Sequence, residues 1–483
     1  MEYEAVIGLE VHVQLKTHSK MFCACENHYG SPVNSQVCPI CLGMPGTLPA
    51  MNEQAVKMTI MTGMMLGCEI APYSKFDRKN YFYPDMPKNY QISQYDLPLC
   101  KQGRLLLVKE CYPKDAQNQI TEARTIGITR IHLEEDVGKS FHLESTTGVD
   151  FNRAGTPLME IVSEPDIRTP EEAFAYLSTL KQILLYGKVS DADMEKGQMR
   201  CDCNVSVRPV GSEKFGTKLE IKNMNTISGV RRALIYEIAR QKEVVARGEK
   251  LTQETRRWDD AAGVTVTMRS KEMAHDYRYF PEPDLMPVDT SVFINEVKGW
   301  LPELPAAKKD RFIQRYQLTE YNAGVLVADM ELANFFEVGA AASKNPNAVA
   351  NWICNDLQRE LSAAGLALSA SPVKPLDLTE LVELCENKTI NSKQAKDVFV
   401  EMFKTGKMPH KIVEEQGLAQ VQDTGALEKW CDEAIAANPG PVGDYRGGKV
   451  AALNFLKGQV MKLSKGKANP ALVGEVLEKR LKA

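Results

Sequence analysis

Across residues 7–15 the chain alternates strictly, with Ile7, Leu9, Val11, Val13 and Leu15 apolar and Gly8, Glu10, His12 and Gln14 between them. A period of two puts one set on each face of a β-strand. The stretch therefore predicts a strand whose apolar face meets a core and whose polar face carries Glu10 and His12 side by side. The alternation returns across residues 201–208, where Cys201, Cys203, Val205 and Val207 oppose Asp202, Asn204, Ser206 and Arg208. It returns again where Leu219 and Ile221 oppose Lys218, Glu220 and Lys222. Strands half-buried in this way belong to an antiparallel sheet with one face on the core. A merely solvated face carries Lys, Glu and Thr in loose mixture, whereas these strands offer the Glu, His, Asp, Asn and Arg side chains that hold metal ions and phosphates. The expectation is a concave sheet whose polar face is the site.

Helical periodicity accounts for what covers the other face. Thr169 reads as an N-cap, with Pro170 at N1, Glu172 at N3, and Phe174, Leu177, Leu180 and Leu184 as a buried stripe up to Gly187. A second helix runs from about residue 228 to near Gly248. Ala55, Met58, Met61 and Met65 make a third core-facing stripe, with Gly63 and Gly67 allowing close approach. Residues 75–96 and 268–284 mix aromatic, basic and proline residues as no core element would, and read as loops with contacts to make. Beyond residue 292 the pattern becomes short amphipathic helices broken by Pro and Gly, with a joint at 369–374. The fold class expected is α+β: an antiparallel sheet packed with helices over 1–292, an all-α domain over 293–405 and an α-helical tail over 406–483.

Charge narrows the partners. The 483 residues carry a net charge of -4, which excludes a protein coated in nucleic acid over its whole surface. One local patch stands against that background: Arg446, Lys449, Lys457, Lys462, Lys465 and Lys467 accompany the single Asp444. It suits a phosphate backbone, or is a solvated basic helix face. The start Met1-Glu-Tyr-Glu has neither the basic nor the apolar segment of a secretory signal, and the apolar run at 58–68 is too short to span a bilayer. No membrane partner is expected. Twelve cysteines without such a signal point to free thiols in a reducing, cytoplasmic setting. Cys23, Cys25, Cys38 and Cys41 form C-x-C and C-P-x-C, a spacing that presents four thiolates to one structural Zn2+; the alternative is four unrelated buried thiols.

Residues 130–166 gather Glu134, Glu135, Asp136, Lys139, Arg153 and Glu160. Carboxylates held together call for a hard cation such as Mg2+ or a cationic ligand, and Lys139 and Arg153, with Arg208 and Lys222 of the polar faces, suit the phosphates of a nucleotide. A solvated acidic turn is the plainer alternative. No GxxxxGK(S/T) loop is present, because Gly447-Gly448-Lys449 is followed by Val450.

The motifs GLEVHVQL, KNYFYPDMPKNYQISQYD, HLEEDVGK, DFNRAGTPLMEIVSEPD, RCDCNVSVR, EIKNMN, QETRRWD and MRSKEMAHDYRYFPEPDL occur in this order. In these the chain closely resembles the B subunits of the tRNA-dependent aspartyl/glutamyl amidotransferases, over nearly its whole length. The resemblance implies a cradle-shaped catalytic domain, a helical domain and a tRNA-gripping tail. It implies ATP-dependent amidation of misacylated Glu-tRNA(Gln), Asp-tRNA(Asn) or both, in a heterotrimer with an amidase (glutaminase) A subunit and a small C subunit. By motif it assigns Glu10, His12, Glu135 and Glu220 to catalysis and the Mg2+ site, with Glu134 the alternative to Glu135 that strand parity favours. Pro283-Asp284-Leu285 leads straight into helical sequence, as in bacterial or organellar members. The chain has neither a serine-rich amidase signature nor a nucleophilic cysteine, so ammonia must come from the partner. Two rivals remain: a self-contained Mg-ATP ligase for a small carboxylic acid, and a non-catalytic tRNA-binding scaffold, which leaves Glu10, His12 and Glu220 without a task.

Overall fold

The computed structural model describes residues 2–270, 276–418, 424–464, 468 and 470–482. It divides into two compact units, Met1–Pro305 and Ala306–Ala483. In chain order the strands of the first unit are β1 (Tyr3–Gln14), β2 (Glu69–Ile70), β3 (Tyr73–Ser74), β4 (Asp77–Asn80), β5 (Tyr90–Ser93), β6 (Cys100–Leu107), β7 (Arg124–Glu135), β8 (Lys139–His142), β9 (Thr147–Asp150), β10 (Pro157–Ser163), β11 (Met199–Pro209), β12 (Leu219–Lys222), β13 (Glu254–Asp259), β14 (Val264–Ser270), β15 (Phe280–Pro281) and β16 (Val288–Asp289). Nine of them form one sheet in the order β14-β13-β12-β11-β1-β10-β7-β6-β2.

The first strand is also the middle one. Ile7, Leu9, Val11 and Val13 are fully buried, as are Cys203 and Ile221 in neighbouring strands. These side chains share one core with three helices, α1 (Glu53–Met65), α2 (Pro170–Tyr186) and α3 (Ile227–Ala246). Each fully buried aliphatic side chain contributes about 1.5–3 kcal/mol, so the alternation holds one face of the sheet on its helices and leaves the polar set outward. The fold is α+β, as the sequence implies. One pair departs from the antiparallel expectation: β12 and β13 run parallel, with Glu220 opposite Thr255. A parallel pair needs a long crossover, and α3 supplies it.

The cap of α2 forms, with Thr169 Oγ1 accepting from the Glu172 amide at 3.1 Å, a contribution of about 1 kcal/mol. Glu172 itself reaches the Arg168 amide at 2.7 Å rather than that of Thr169. Phe174 sits at the edge of the stripe, half-buried, and Tyr176 is fully buried instead. In α1, Gly63 is a true close approach, because a Cβ there would lie 2.5 Å from Cys100 Sγ. Gly67 is not; its φ of +64° turns the chain after the helix, with the nearest side-chain atoms 3.9 Å away.

The two stretches read as loops carry strands of their own. β15, β4 and β5 pair as a small sheet, with Phe280 opposite Arg78 and Arg78 opposite Ile92. Segments far apart in sequence thus meet, which no local pattern reveals.

The second unit is helical. One hydrophobic cluster gathers Phe312, Phe336, Leu378 and Phe399, and extends to Ile412 and Val413 of the helix Pro409–Glu415. Another gathers Leu427, Leu456, Val460, Val473 and Leu477. Among the described residues no helix is long and apolar enough to cross a membrane.

Candidate functional site

Register, more than any motif, builds the site. β1 pairs antiparallel with β11 on one side and β10 on the other, and β10 pairs with β7. Directly opposed residues share a face, so Arg200, His12, Glu160 and His132 stand in one row across four strands. His12 Nε2 lies 3.5 Å from Glu134 Oε1 and 3.4 Å from Glu160 Oε2, and His132 Nε2 lies 3.3 Å from that same Glu160 oxygen. His12, Glu134 and Glu160 each present a ligand atom, all within 4.8 Å of one another.

The electrostatics of this cluster favour a cation. Burial lowers the His12 pKa, but the hydrogen bond and charge of Glu160, with the charges of Glu134 and Asp202, outweigh it and bring the imidazole to about 9. Burial works against ionising Glu160 too, yet His132 and His12 hold it well below the ordinary carboxylate range. Lys79 of β4 leans over the same group, with Nζ 5.0 Å from the Tyr277 ring centre and 5.8 Å from that of Tyr81. Burial opposes its charge, and Glu134, Tyr279 and Glu160 more than restore it. An imidazole and two carboxylates converging this closely fit a divalent cation.

Asp136 ties the floor together. Its Oδ2 accepts from Gln14 Nε2 at 2.9 Å and Arg200 Nη2 at 2.7 Å and lies 3.6 Å from Arg153 Nε. Arg200 and Arg153 keep its carboxyl below the usual range in spite of burial.

The expected ligands separate into groups. Glu10 and Glu220 share the polar face with His12 but stand beside the cluster: Asn204, which opposes Glu220, donates to Glu10 Oε1 at 2.8 Å. Glu220 is held by Lys222 at 3.0 Å and by Thr255 at 2.9 Å. Glu135 is on the other side. Arg130, His132 and Glu134 alternate onto the polar face, so the next residue must turn away, and Glu135 accepts from the Ile92 amide at 2.9 Å and pairs with Lys88. It lines a cavity of about 100 Å³ with Cys23 and Cys41. The geometry brings Glu134, not Glu135, to His12.

The four cysteines converge as the spacing implies. Their sulfurs all lie within 4.8 Å of one another, with Cys38 and Cys41 Sγ 3.9 Å apart, close to the separation that tetrahedral thiolates around zinc require. The bond from Cys23 holds Cys41 down to about 4 against burial, helped by the Cys38 amide and the Lys20 ammonium, and the same bond keeps Cys23 high.

Residues 5–294 match the sequence profile of the GatB/GatE catalytic domain, a span that contains both centres. The chain belongs to the GatB/GatE family. Residues 334–481 match a second profile, the GatB domain. The B subunit of the aspartyl/glutamyl-tRNA(Asn/Gln) amidotransferase of Methylacidiphilum infernorum is 58% identical over 100% of this chain and 99% of its own length. Its namesake from Carboxydothermus hydrogenoformans is 53% identical over 99% of each chain, and that from Moorella thermoacetica 51% identical over 100% of each.

Within the GatB/GatE catalytic domain the expected phosphate cations are dispersed. Lys139 is exposed on the β8–β9 hairpin, its Nζ 4.8 Å from the Phe141 ring centre. Arg153 donates to the carbonyls of Val137 at 2.9 Å and Gly138 at 2.7 Å, fixing the turn after β7. Arg208 pairs with Glu4 at 2.7 Å towards the far end of β11, and Lys222 bridges Asp202 and Glu220. Lys79 and Arg200, neither singled out from sequence, are cations whose charges act on Glu134 of the carboxylate cluster. In the GatB domain, Arg446 donates to the Leu481 carbonyl at 3.4 Å and Lys449 pairs with Asp444 at 3.0 Å. Lys457 and Lys462 ride on the helix Ala451–Leu463, whose Leu453, Leu456 and Val460 are buried. Lys465 and Lys467 lie outside the described residues.

Proposed function

We propose that this chain is the B subunit of an aspartyl/glutamyl-tRNA(Asn/Gln) amidotransferase, phosphorylating the side-chain carboxylate of Glu-tRNA(Gln), Asp-tRNA(Asn) or both with ATP and exchanging the phosphate for ammonia. The carrying observation is the convergence of His12, Glu134 and Glu160 on the polar face of a sheet in a chain that shares its full length with B subunits of that name. The substrate carboxylate is ionised near neutral pH, so its attack on the terminal phosphate of ATP needs no general base. It needs positioning and charge neutralisation. His12, Glu134 and Glu160 would hold Mg2+, which would neutralise charge on the transferring phosphate. Glu10 and Glu220 flank that position as further carboxylates on the same face. Lys79 and Arg200 stand beside it as cations for phosphate oxygens, and His132 orients Glu160. After phosphorylation, ammonia attacks the acyl carbon, inorganic phosphate leaves, and a neighbouring carboxylate or imidazole accepts the proton that ammonia gives up.

In this reading a partner glutaminase A subunit supplies ammonia, a small C subunit completes the heterotrimer, and the complex works in the cytoplasm. Cys23, Cys25, Cys38 and Cys41 would hold structural zinc, since four thiolates leave no open position for catalysis. Release of ADP by the assembled complex tests the reaction: it should depend on misacylated tRNA. Free glutamate stimulating ATP turnover as well would instead favour a self-contained ligase.

The basic tail is proposed to grip the tRNA backbone. Lys449 is exposed and Lys462 lies on the outer face of its helix. Changing both to glutamine in the full chain should lower the slope of log affinity against log salt by about 0.7–0.9 for each phosphate interaction the change removes. Binding measured at several salt concentrations checks this; an unchanged slope would make the patch a solvated helix face.

A further inference from the structure

Lys20 is among the largest fully buried side chains of the molecule. An ammonium taken out of water is costly unless an opposite charge is close, yet among the described residues no carboxylate lies within salt-bridge distance of it. Its Nζ donates to the Gln36 carbonyl at 2.7 Å and the Phe151 carbonyl at 3.4 Å, and to Cys41 Sγ at 3.7 Å. Two carbonyls satisfy protons but supply no charge. Among the described residues the group of anionic character that Lys20 contacts is the cysteine centre, through Cys41 Sγ, and four thiolates around a divalent ion would leave a net charge of about -2.

The position is also built around that contact. Gly155 has a φ of +84°, and a Cβ there would lie 3.5 Å from both Lys20 Cδ and Cys41 Cβ, so the loop closes directly over the lysine stem. Asn152 of the same loop accepts from the Gln36 amide at 2.8 Å and donates to the Pro32 carbonyl at 2.6 Å. Lys20 thus bridges the segment between the two cysteine pairs and the loop that carries Arg153 and follows Asp150 of β9.

We propose that Lys20 is the charge-balancing and positioning residue of the four-cysteine centre: it donates a hydrogen bond to the Cys41 thiolate, offsets the negative charge of the loaded site, and pins the knuckle to the loop at 151–155. The proposal rests on the reading that the four thiolates hold zinc, which metal analysis of the wild-type protein tests separately. The role of Lys20 is seen at the metal.

The experiment compares the full-length wild-type chain with Lys20→Met, which keeps the stem and removes the charge, and Lys20→Arg, which keeps the charge. Zinc affinity is measured by competition with a chromophoric chelator, and the cobalt(II)-loaded forms are examined by visible absorption. Lys20→Met should bind zinc at least tenfold more weakly, shift the thiolate-to-cobalt charge-transfer band, and expose Cys41 of the loaded protein to faster alkylation by iodoacetamide, because a thiolate relieved of a hydrogen bond is more nucleophilic. Lys20→Arg should stay within a few-fold of wild type. Should Lys20→Met not fold, Lys20→Gln against Lys20→Arg gives the same comparison. Zinc bound by wild type, with equal affinity and an unchanged cobalt spectrum in the uncharged variant, would overturn the proposal. Wild type without zinc would instead overturn the zinc reading itself.

Discussion

Glu160→Gln is expected to lower amidation of misacylated tRNA by at least about a hundredfold, the upper end of what losing even an outer partner costs a metal site. Glu160 takes both imidazoles on a single oxygen, His12 at 3.4 Å and His132 at 3.3 Å. Glutamine keeps the volume and removes the charge, so of the two carboxylates paired with His12 among the described residues only Glu134 is left. Loss of one carboxylate ligand weakens the hold on a hard cation, and the deficit should shrink when Mg2+ is raised well above its working concentration. Binding of tRNA should be little changed, since the substitution lies within the sheet. The same change at Glu135 should behave differently. Glu135 faces Lys88 and the Ile92 amide, so Glu135→Gln should cost stability, with Mg2+ dependence unaltered. Rates measured against Mg2+ for the two variants check both expectations, and a Glu135 variant with the stronger Mg2+ dependence would reverse the assignment.

Cys38→Ser is expected to remove zinc and loosen the segment around residues 20–45, while the sheet stays folded. Free energies of structural zinc sites reach about 10–16 kcal/mol in small peptides. Here the segment has other anchors, which confine the damage. Asn27 donates to the Leu15 carbonyl at 3.1 Å, and the Ala50 and Asn52 amides bond to Phe22 and Met21 carbonyls at 2.9 and 2.8 Å. Leu15, Met21 and Phe22, which supply those carbonyls, belong to the main core. Limited proteolysis should therefore cut the variant within the knuckle and leave the remainder of the first unit resistant, and metal analysis should find zinc in wild type alone. Chelator treatment of wild type should reproduce the cleavage pattern. Zinc retained at wild-type stoichiometry in Cys38→Ser would contradict this.

What the sequence carried, and what it did not, follows from the range of each interaction. The polar faces of β1, β11 and β12 were legible because the pleat imposes a period of two on adjacent residues. The convergence of the four cysteines was legible because they lie close together in sequence. Between Glu134 and Glu135 the sequence pointed two ways: the family motif named Glu135, whereas the alternation of Arg130, Ile131, His132 and Leu133 sends Glu134 to the polar side. The row of Arg200, His12, Glu160 and His132 was not legible, because it needs the registers of three strand pairs, and these are set by long-range packing. Lys79 escaped for a similar reason: its segment reads as an aromatic loop until β15 closes beside β4. Lys139 and Arg153 carry the right charge, but one is solvated on a hairpin and the other binds backbone carbonyls, and composition cannot tell such fates apart.

The central claim is that this sheet face joins ATP to the amidation of a tRNA-borne carboxylate. The measurement closest to it supplies the assembled complex with labelled Glu-tRNA(Gln) or Asp-tRNA(Asn), ATP and Mg2+, using ammonium chloride in place of glutamine so that the partner's chemistry is bypassed. The expected result is one ADP released for each amide formed, with both products lost together when Glu160→Gln replaces the wild-type chain. Amide formation that proceeds undiminished with that variant, or ATP turnover indifferent to the tRNA, would contradict it.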